Sequence, residues 1–260
     1  MKTVGIIGGG NMGAAIIAGI RKYFAVCVCE KDSRRRRLLK TRFRVASRDL
    51  KDLCAWADVL LIAVKPQDIE SVLTSLRPFA IKDKLVISIA AGITTAFIEK
   101  RLGRCRVLRA MPNMPALIGE GITAVAKGRY ATSSDLRLAQ KIFDRVGETV
   151  VVKEKLIDAV TAVSGSGPAY VFLFAEQFMQ AARSAGLDKP LSRKLVMKTL
   201  LGSVQLLSRQ NEDAAALRAK VTSKGGTTAA ALKIFDKHQT GAIFSKAVAA
   251  AKKRAKQLSK

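Results

Sequence analysis

The sequence has 260 residues, 49% apolar and 25% charged, which fits one or two globular domains with a real core and excludes disordered and collagenous chains. The longest apolar runs, Val59–Val64 and Leu85–Ala91, stop at Lys65 and Gly92, well short of the ~18 residues a membrane span needs, so no transmembrane helix and no membrane partner is expected. The formal charge of +26 divides into 28 basic against 14 acidic residues before Lys155 and 18 against 6 from there on. A charge spread over both halves without interleaved aromatics for base stacking argues for solvated faces and against a nucleic-acid partner.

Strand-like runs come first: Thr3–Ile7, Ala25–Cys29, Val59–Val64, Leu85–Ile89, Arg106–Arg109, Ile122–Ala126 and Glu148–Val152, with helical periodicity between them. That order predicts an α/β fold, a Rossmann-like doubly wound parallel sheet with crossover helices on both faces. The N-terminus enters its first strand with no room for a signal segment, so a cytoplasmic protein is expected. From Lys155 on, Ile157–Val163, Pro168–Ala185, Pro190–Arg209, Ala214–Val221, Thr227–Lys237 and Gly241–Gln257 read as helices. The expected domains are therefore 1–154, dinucleotide-binding, and 155–260, all-helical. Ala169–Ala182 is apolar nearly all round, with Tyr170, Phe172, Phe174 and Phe178 on more than one face. It is either a central buried helix or part of a contact with a second subunit.

Gly8-Gly9-Gly10-Asn11-Met12-Gly13 is a G-x-G-x-x-G run between a strand and a helix. In that context Gly8 makes the tight turn, Gly10 lets the backbone approach a pyrophosphate and Gly13 lets helix pack on strand. At the end of the second strand, Glu30 suits a ribose 2′-hydroxyl and NAD(H), whereas Lys31, Ser33 and Arg34 suit a 2′-phosphate. The arginine-rich turn tips the expectation to NADP(H), with NAD(H) left open. Ala63-Val64-Lys65-Pro66 closes another strand at the same sheet edge, and Ala90-Ala91-Gly92 ends the next with residues small enough for a flat ring to approach. Either group also suits plain surface or packing roles.

Cys27, Cys29, Cys54 and Cys105 have no metal-ligand spacing with each other or with His238, the only histidine. No metal site is expected, and Cys27 and Cys29 should share one strand face as reduced thiols. His238 has no carboxylate near it in sequence, which disfavours a His–Asp acid–base couple. Hydride addition to an imine that arrives protonated needs less proton machinery. Thr222-Ser223-Lys224-Gly225-Gly226-Thr227-Thr228 precedes a strong helix and reads either as an anion site for a carboxylate or as an ordinary helix start.

Ala162-Val163-Ser164-Gly165-Ser166-Gly167-Pro168-Ala169-Tyr170 and Ser223-Lys224-Gly225-Gly226-Thr227-Thr228, together with Ala63–Pro66, Ala90–Gly92 and Arg109-Ala110-Met111-Pro112-Asn113, closely resemble, in order, the motifs of the Δ1-pyrroline-5-carboxylate reductase family. The resemblance covers essentially the whole chain. It implies the last step of proline biosynthesis, reduction of a cyclic imine to L-proline by NADPH or NADH. It also implies an N-terminal Rossmann domain and an interlocking helical domain, giving homodimers often assembled into decamers. It places the substrate at Ser223, Gly225, Gly226, Thr227 and Thr228, with Thr228 as catalytic partner of the ring nitrogen. Together with the glycine run and the basic turn after the second strand, it gives a cofactor set of Ile7, Gly8, Gly9, Gly10, Asn11, Met12, Gly13, Ser33, Arg34, Ala63, Val64, Lys65, Pro66, Ala90, Ala91 and Asn113. The chain departs from the family at Lys224, where proline is usual, and at Leu50, which replaces a polar residue on the adenosine side. Two other readings are a reductase of a related six-membered cyclic imino acid, which a pocket discriminates only about 10- to 200-fold, and a non-catalytic basic dinucleotide-binding protein.

Overall fold

In the computed structural model, which describes residues 1–79 and 81–259, the first half folds as a βα alternation. Its elements are β1 (Thr3–Ile7), α1 (Asn11–Ile20), β2 (Ala25–Cys29), α2 (Ser33–Phe43), β3 (Ala46–Ser47), α3 (Leu50–Trp56), β4 (Val59–Ile62), α4 (Ile69–Leu76), β5 (Leu85–Ser88), α5 (Thr95–Leu102), β6 (Arg106–Met111), β7 (Gly121–Lys127), α6 (Ser133–Phe143) and β8 (Gly147–Val151). The strands join in one sheet of order β3-β2-β1-β4-β5-β6-β7-β8. The chain reverses its winding between β1 and β4, and that crevice is where open α/β sheets take ligands.

One pairing departs from the expected parallel sheet: β6 and β7 run antiparallel, with Leu108 opposite Lys127 and Met111 opposite Ala124. The connection 112–120 holds only a single 3-10 turn, Met114–Ile118, too short for the helical crossover that a parallel return requires.

The central strands are buried on both faces. Val59 and Leu61 of β4 pack with Ile16, Ile17 and Ile20 of α1 and with Phe143. Leu60 and Ile62 pack on the opposite face with Leu53, Leu73 and Ile98. Burial on both sides is why β4 reads as an unbroken apolar run rather than an alternation. Cys27 and Cys29 face that second cluster together, and all four cysteines are free.

The remainder is helical: α7 (Ile157–Val160), a π-turn at Thr161–Gly165, α8 (Gly167–Ser184), α9 (Lys189–Arg209), α10 (Ala214–Lys220), α11 (Thr227–Lys237) and α12 (Thr240–Leu258). The described chain forms two compact units, Met1–Pro168 with Ala250–Lys260, and Ala169–Ala249. Within the second unit Ala175, Ser192 and Val196 are buried, whereas Phe172 is 59% exposed and Val171, Leu173, Phe174 and Phe178 are exposed with it. α8 is therefore not a central buried helix of its own unit. The helical run Glu154–Ser184 is long and apolar enough, by length and composition alone, to cross a membrane. Counting uninterrupted apolar residues missed this, because a helix carries scattered Ser and Gly without breaking.

Candidate active site

Six helices, α2, α3, α5, α6, α9 and α10, begin on an Asp or Thr whose side chain accepts from the first turn. Helices α1 and α11 begin instead on Gly10 and Gly226 with no side-chain cap. Their leading N–H groups and positive dipole ends are thereby left to a ligand.

At α1 each glycine of the fingerprint has a physical reason. Gly8 has φ +99°, and an added Cβ would lie 2.7 Å from the Ala63 carbonyl oxygen. A Cβ on Gly13 would collide with the Gly8 carbonyl oxygen. At Gly10 an added Cβ would meet nothing nearer than Arg35 Nη1 at 3.9 Å, so the backbone there opens on free space of the kind a pyrophosphate requires. The residues present fit a dinucleotide.

That space is a cavity of about 890 Å³ at the carboxyl ends of β1, β2, β4, β5 and β6. Twelve of the sixteen expected cofactor residues form its wall: Ile7, Gly8, Gly10, Asn11, Met12, Ala63, Val64, Lys65, Pro66, Ala90, Ala91 and Asn113. Gly9 and Gly13 lie outside the wall and serve close packing instead, Gly9 against Leu39 and Glu30. Ser33 and Arg34 are exposed in the first turn of α2 and do not line the cavity, whereas Arg35 does. Asn113 is held by its Oδ1, which accepts from the Ile122 N–H at 2.9 Å. Leu50 and Val72 give one side of the cavity an apolar wall, beside Ser71 and Ser75. Gly165 of the π-turn also reaches it, and such turns recur at functional sites.

Glu30 is pinned. Its carboxylate accepts from the Gly9 N–H at 2.5 Å and from the Asp32 N–H at 2.9 Å. Arg36 donates to the carbonyls of Glu30 at 2.7 Å and Lys31 at 3.0 Å, fixing the turn between β2 and α2. The Arg35 backbone N–H bonds the Asp32 carboxylate and lowers its pKa. Cys29, in the cavity wall, has its thiol pKa raised by burial and by the nearby Asp49 and Glu30 carboxylates. It stays protonated at neutral pH and offers no thiolate nucleophile.

Arg109 is 3% exposed and does not face the cavity. Its guanidinium lies 3.3 Å from Asp158 and 3.8 Å from Glu154. Glu154 accepts from the Thr95 N–H and hydroxyl at 2.8 and 2.7 Å, and Asp158 accepts from the Ser259 hydroxyl at 3.1 Å. The cluster fastens β6 to α5, to the approach to α7 and to the end of α12. Gly92, with φ +74°, packs beside it against the Leu258 carbonyl.

The second expected subsite lies in Ala169–Ala249. Gly225 has φ +73°, and a Cβ on Gly226 would strike the Ser223 hydroxyl, so both glycines are needed for the turn. The Gly226 N–H bonds the Ser223 carbonyl at 3.1 Å, and the first helical bond of α11 runs from Ala230 to Gly226. The N–H groups of Thr227, Thr228 and Ala229 precede that first bond, and the Ser223 hydroxyl lies against Gly226 at the same turn. His238 is the C-cap of α11, at the far end of the helix from this turn.

Arg35 is the cavity residue that sequence reasoning missed, whereas Leu50, expected on the adenosine side, does line the cavity. Arg35 stands one turn beyond the Asp32 cap, and Leu50 is the first residue of α3.

Residues 154–258 match the family model described as pyrroline-5-carboxylate reductase dimerisation, and residues 3–92 match NADP oxidoreductase coenzyme F420-dependent. The chain is 41% identical to a pyrroline-5-carboxylate reductase of Synechocystis over 99% of its length and 98% of that protein's. It is 37% identical to one of Mycobacterium leprae, with 99% and 97% covered. A solved pyrroline-5-carboxylate reductase from Coxiella burnetii superposes with a TM-score of 0.91 at 36% identity, covering 99% and 98%. Plasmodium falciparum pyrroline carboxylate reductase, solved with NADP bound, superposes at 0.89 and 30% identity, covering 100% and 98%. Alike in sequence at 30–41% identity and in fold over nearly their whole lengths, these proteins and the present chain share one family: the chain belongs to the pyrroline-5-carboxylate reductase family.

Proposed function

We propose that the protein reduces Δ1-pyrroline-5-carboxylate to L-proline with NAD(P)H, NADP(H) being the favoured dinucleotide. The observation that carries this reading is the end-to-end likeness to pyrroline-5-carboxylate reductases at up to 41% identity among those compared, in a chain whose glycine cradle opens on space for a dinucleotide. Bound reduced nicotinamide supplies the hydride. Gly8, Gly10 and Asn11 would hold its pyrophosphate at the α1 N-terminus, Leu50 and Val72 would offer the adenine an apolar wall, and the small side chains of Ala90 and Ala91 would give the nicotinamide ring room.

The α11 N-terminus takes the substrate carboxylate, with the Ser223 hydroxyl and the backbone of Gly225, Gly226 and Thr227 as donors. The Thr228 hydroxyl hydrogen-bonds the ring nitrogen and keeps its proton in place. Fixing a protonated imine there leaves its carbon as the electrophile, so orientation supplies most of the rate and no histidine is required. Residues 1–154 bind dinucleotide, and 155–260 bind substrate and self-associate, a division supported by the dimerisation match that begins at residue 154. The packing of 155–168 with the sheet unit then makes that stretch the connection.

The chain self-associates through the helical half. The state we assign is a dimer or a dimer-based decamer, with the exposed apolar residues of α8 in the subunit contact, in the cytoplasm and without nucleic-acid or membrane partners. Oxidation of NADPH and of NADH by purified protein, with and without the imine, tests the reading. Imine-dependent loss of reduced-nicotinamide absorbance is expected, and no loss with either dinucleotide would overturn it.

A further inference from the structure

Five basic residues, Lys31 and Arg34 to Arg37, follow β2, and the structure separates the duties of the first four. Arg36 is committed to two backbone carbonyls of the β2–α2 turn. Lys31 pairs with Asp68 at 3.6 Å. Arg34 is exposed and does not line the cavity. Arg35 lines the cavity, and its guanidinium has only a neutral partner, Asn11 Oδ1 at 2.9 Å. Among the described residues no carboxylate lies within ion-pairing distance of it. The acidic residue that would select a ribose hydroxyl, Glu30, is held by two backbone N–H groups.

A pinned carboxylate and a guanidinium with no carboxylate partner among the described residues, both at the end of β2, make opposite demands on the adenosine ribose. Exchanging a neutral amide oxygen for a dianion is favourable for a planar fork of donors. We propose that Arg35, not Arg34, reads the 2′-phosphate of NADP(H) and sets dinucleotide preference, with Asn11 parking its guanidinium when that phosphate is absent. The proposal rests on the dinucleotide-dependent reductase reading above.

The test compares the unaltered protein with Arg35→Ala, Arg35→Lys and Arg37→Ala, the last removing an exposed charge of the same run outside the cavity. Steady-state kinetics with NADPH and NADH at saturating imine are paired with calorimetric titration of adenosine 2′,5′-bisphosphate and adenosine 5′-monophosphate. Loss of one charged hydrogen-bonded contact is worth about tenfold to a hundredfold. Arg35→Ala should lower the NADPH-to-NADH ratio of kcat/KM by that factor through KM, and weaken the bisphosphate but not the monophosphate. Arg35→Lys should recover part of the ratio, and Arg37→Ala should leave it within about twofold.

Equal losses with NADPH and NADH would place Arg35 on the pyrophosphate and overturn the proposal, as would an unchanged ratio. If the unaltered protein turned over no imine, the reductase reading would fall, and the two nucleotide titrations would still decide the role of Arg35.

Discussion

Two glycines only two residues apart should fail in opposite ways when given a methyl group. Gly8 has φ +99°, and its Cβ would press on backbone, 2.7 Å from the Ala63 carbonyl oxygen and 2.9 Å from its carbon. Strain at such a φ costs ~1–3 kcal/mol, and forced contact in a packed interior about as much again. Gly8→Ala should therefore lose roughly 2–6 kcal/mol, a fall in Tm of about 4–24 °C. Gly10 has φ −59° and ψ −175°, which alanine adopts freely, and its Cβ would point into open cavity. Gly10→Ala should cost below ~1 kcal/mol as a poorer N-cap, yet weaken NADPH at least tenfold by keeping phosphate off the α1 amides. Thermal melting gives the first quantity, and titration of NADPH fluorescence on the purified protein gives the second. A Gly10→Ala protein that binds NADPH within about twofold of the parent, or a Gly8→Ala protein that melts with the parent, would refute the reasoning.

Removing the Thr228 hydroxyl as Thr228→Ala should lower kcat about tenfold to a hundredfold, the worth of one hydrogen bond to a charged group. Thr228→Ser should keep most of the rate, and equal turnover by the alanine variant would remove the assigned role. Arg109→Leu should cost about 3 kcal/mol in urea unfolding, because it leaves Glu154 and Asp158 without their buried cation. A midpoint matching the parent would show the cluster to be dispensable. Asp58, whose carboxylate accepts from the Thr3 N–H and hydroxyl and from Lys2, has its pKa lowered to about 2. A carboxylate with a depressed folded pKa contributes stability above its unfolded pKa, about 3.9, and loses it as pH falls through the folded value. With the side chain 42% exposed, solvent screening holds the effect to about 1 kcal/mol or less. The advantage of the parent over Asp58→Asn should shrink between about pH 4 and pH 2, and a gap that widens there would contradict the assignment.

Much of this molecule is legible in its sequence where local chemistry and tertiary demand agree. Thr3–Ile7, Ala25–Cys29 and Thr227–Lys237 are bounded in the structure as their residues suggest, because glycine or a turn closes each end. Val59–Val64 ends two residues early as a strand, since Ala63 and Val64 already form the cavity wall. The direction of β7 could not be read from Ile122–Ala126, because period-two burial is the same for either direction. Only the short connection 112–120 decides it.

The arginine run shows a second limit. Consecutive helical residues are turned about 100° apart, so which of four identical side chains meets the cavity depends on where Asp32 starts α2. A one-residue error exchanges Arg34 for Arg35. Glu30 is subtler still: its position suits a ribose, and only the Gly9 and Asp32 amides reveal that its oxygens are occupied. The apolar circumference of Ala169–Ala182 left a buried helix and a subunit contact equally open in the sequence, and the exposure of Val171, Phe172, Leu173, Phe174 and Phe178 removes the first.

The central claim is hydride transfer to the imine carbon, and isotopic transfer tests it most directly. NADPH deuterated at the nicotinamide C4, incubated with Δ1-pyrroline-5-carboxylate and the purified protein, should yield L-proline carrying one deuterium at C5, read by mass spectrometry. Proline formed without deuterium from both C4 diastereomers of the dinucleotide, or no proline while NADPH still binds, would contradict the account.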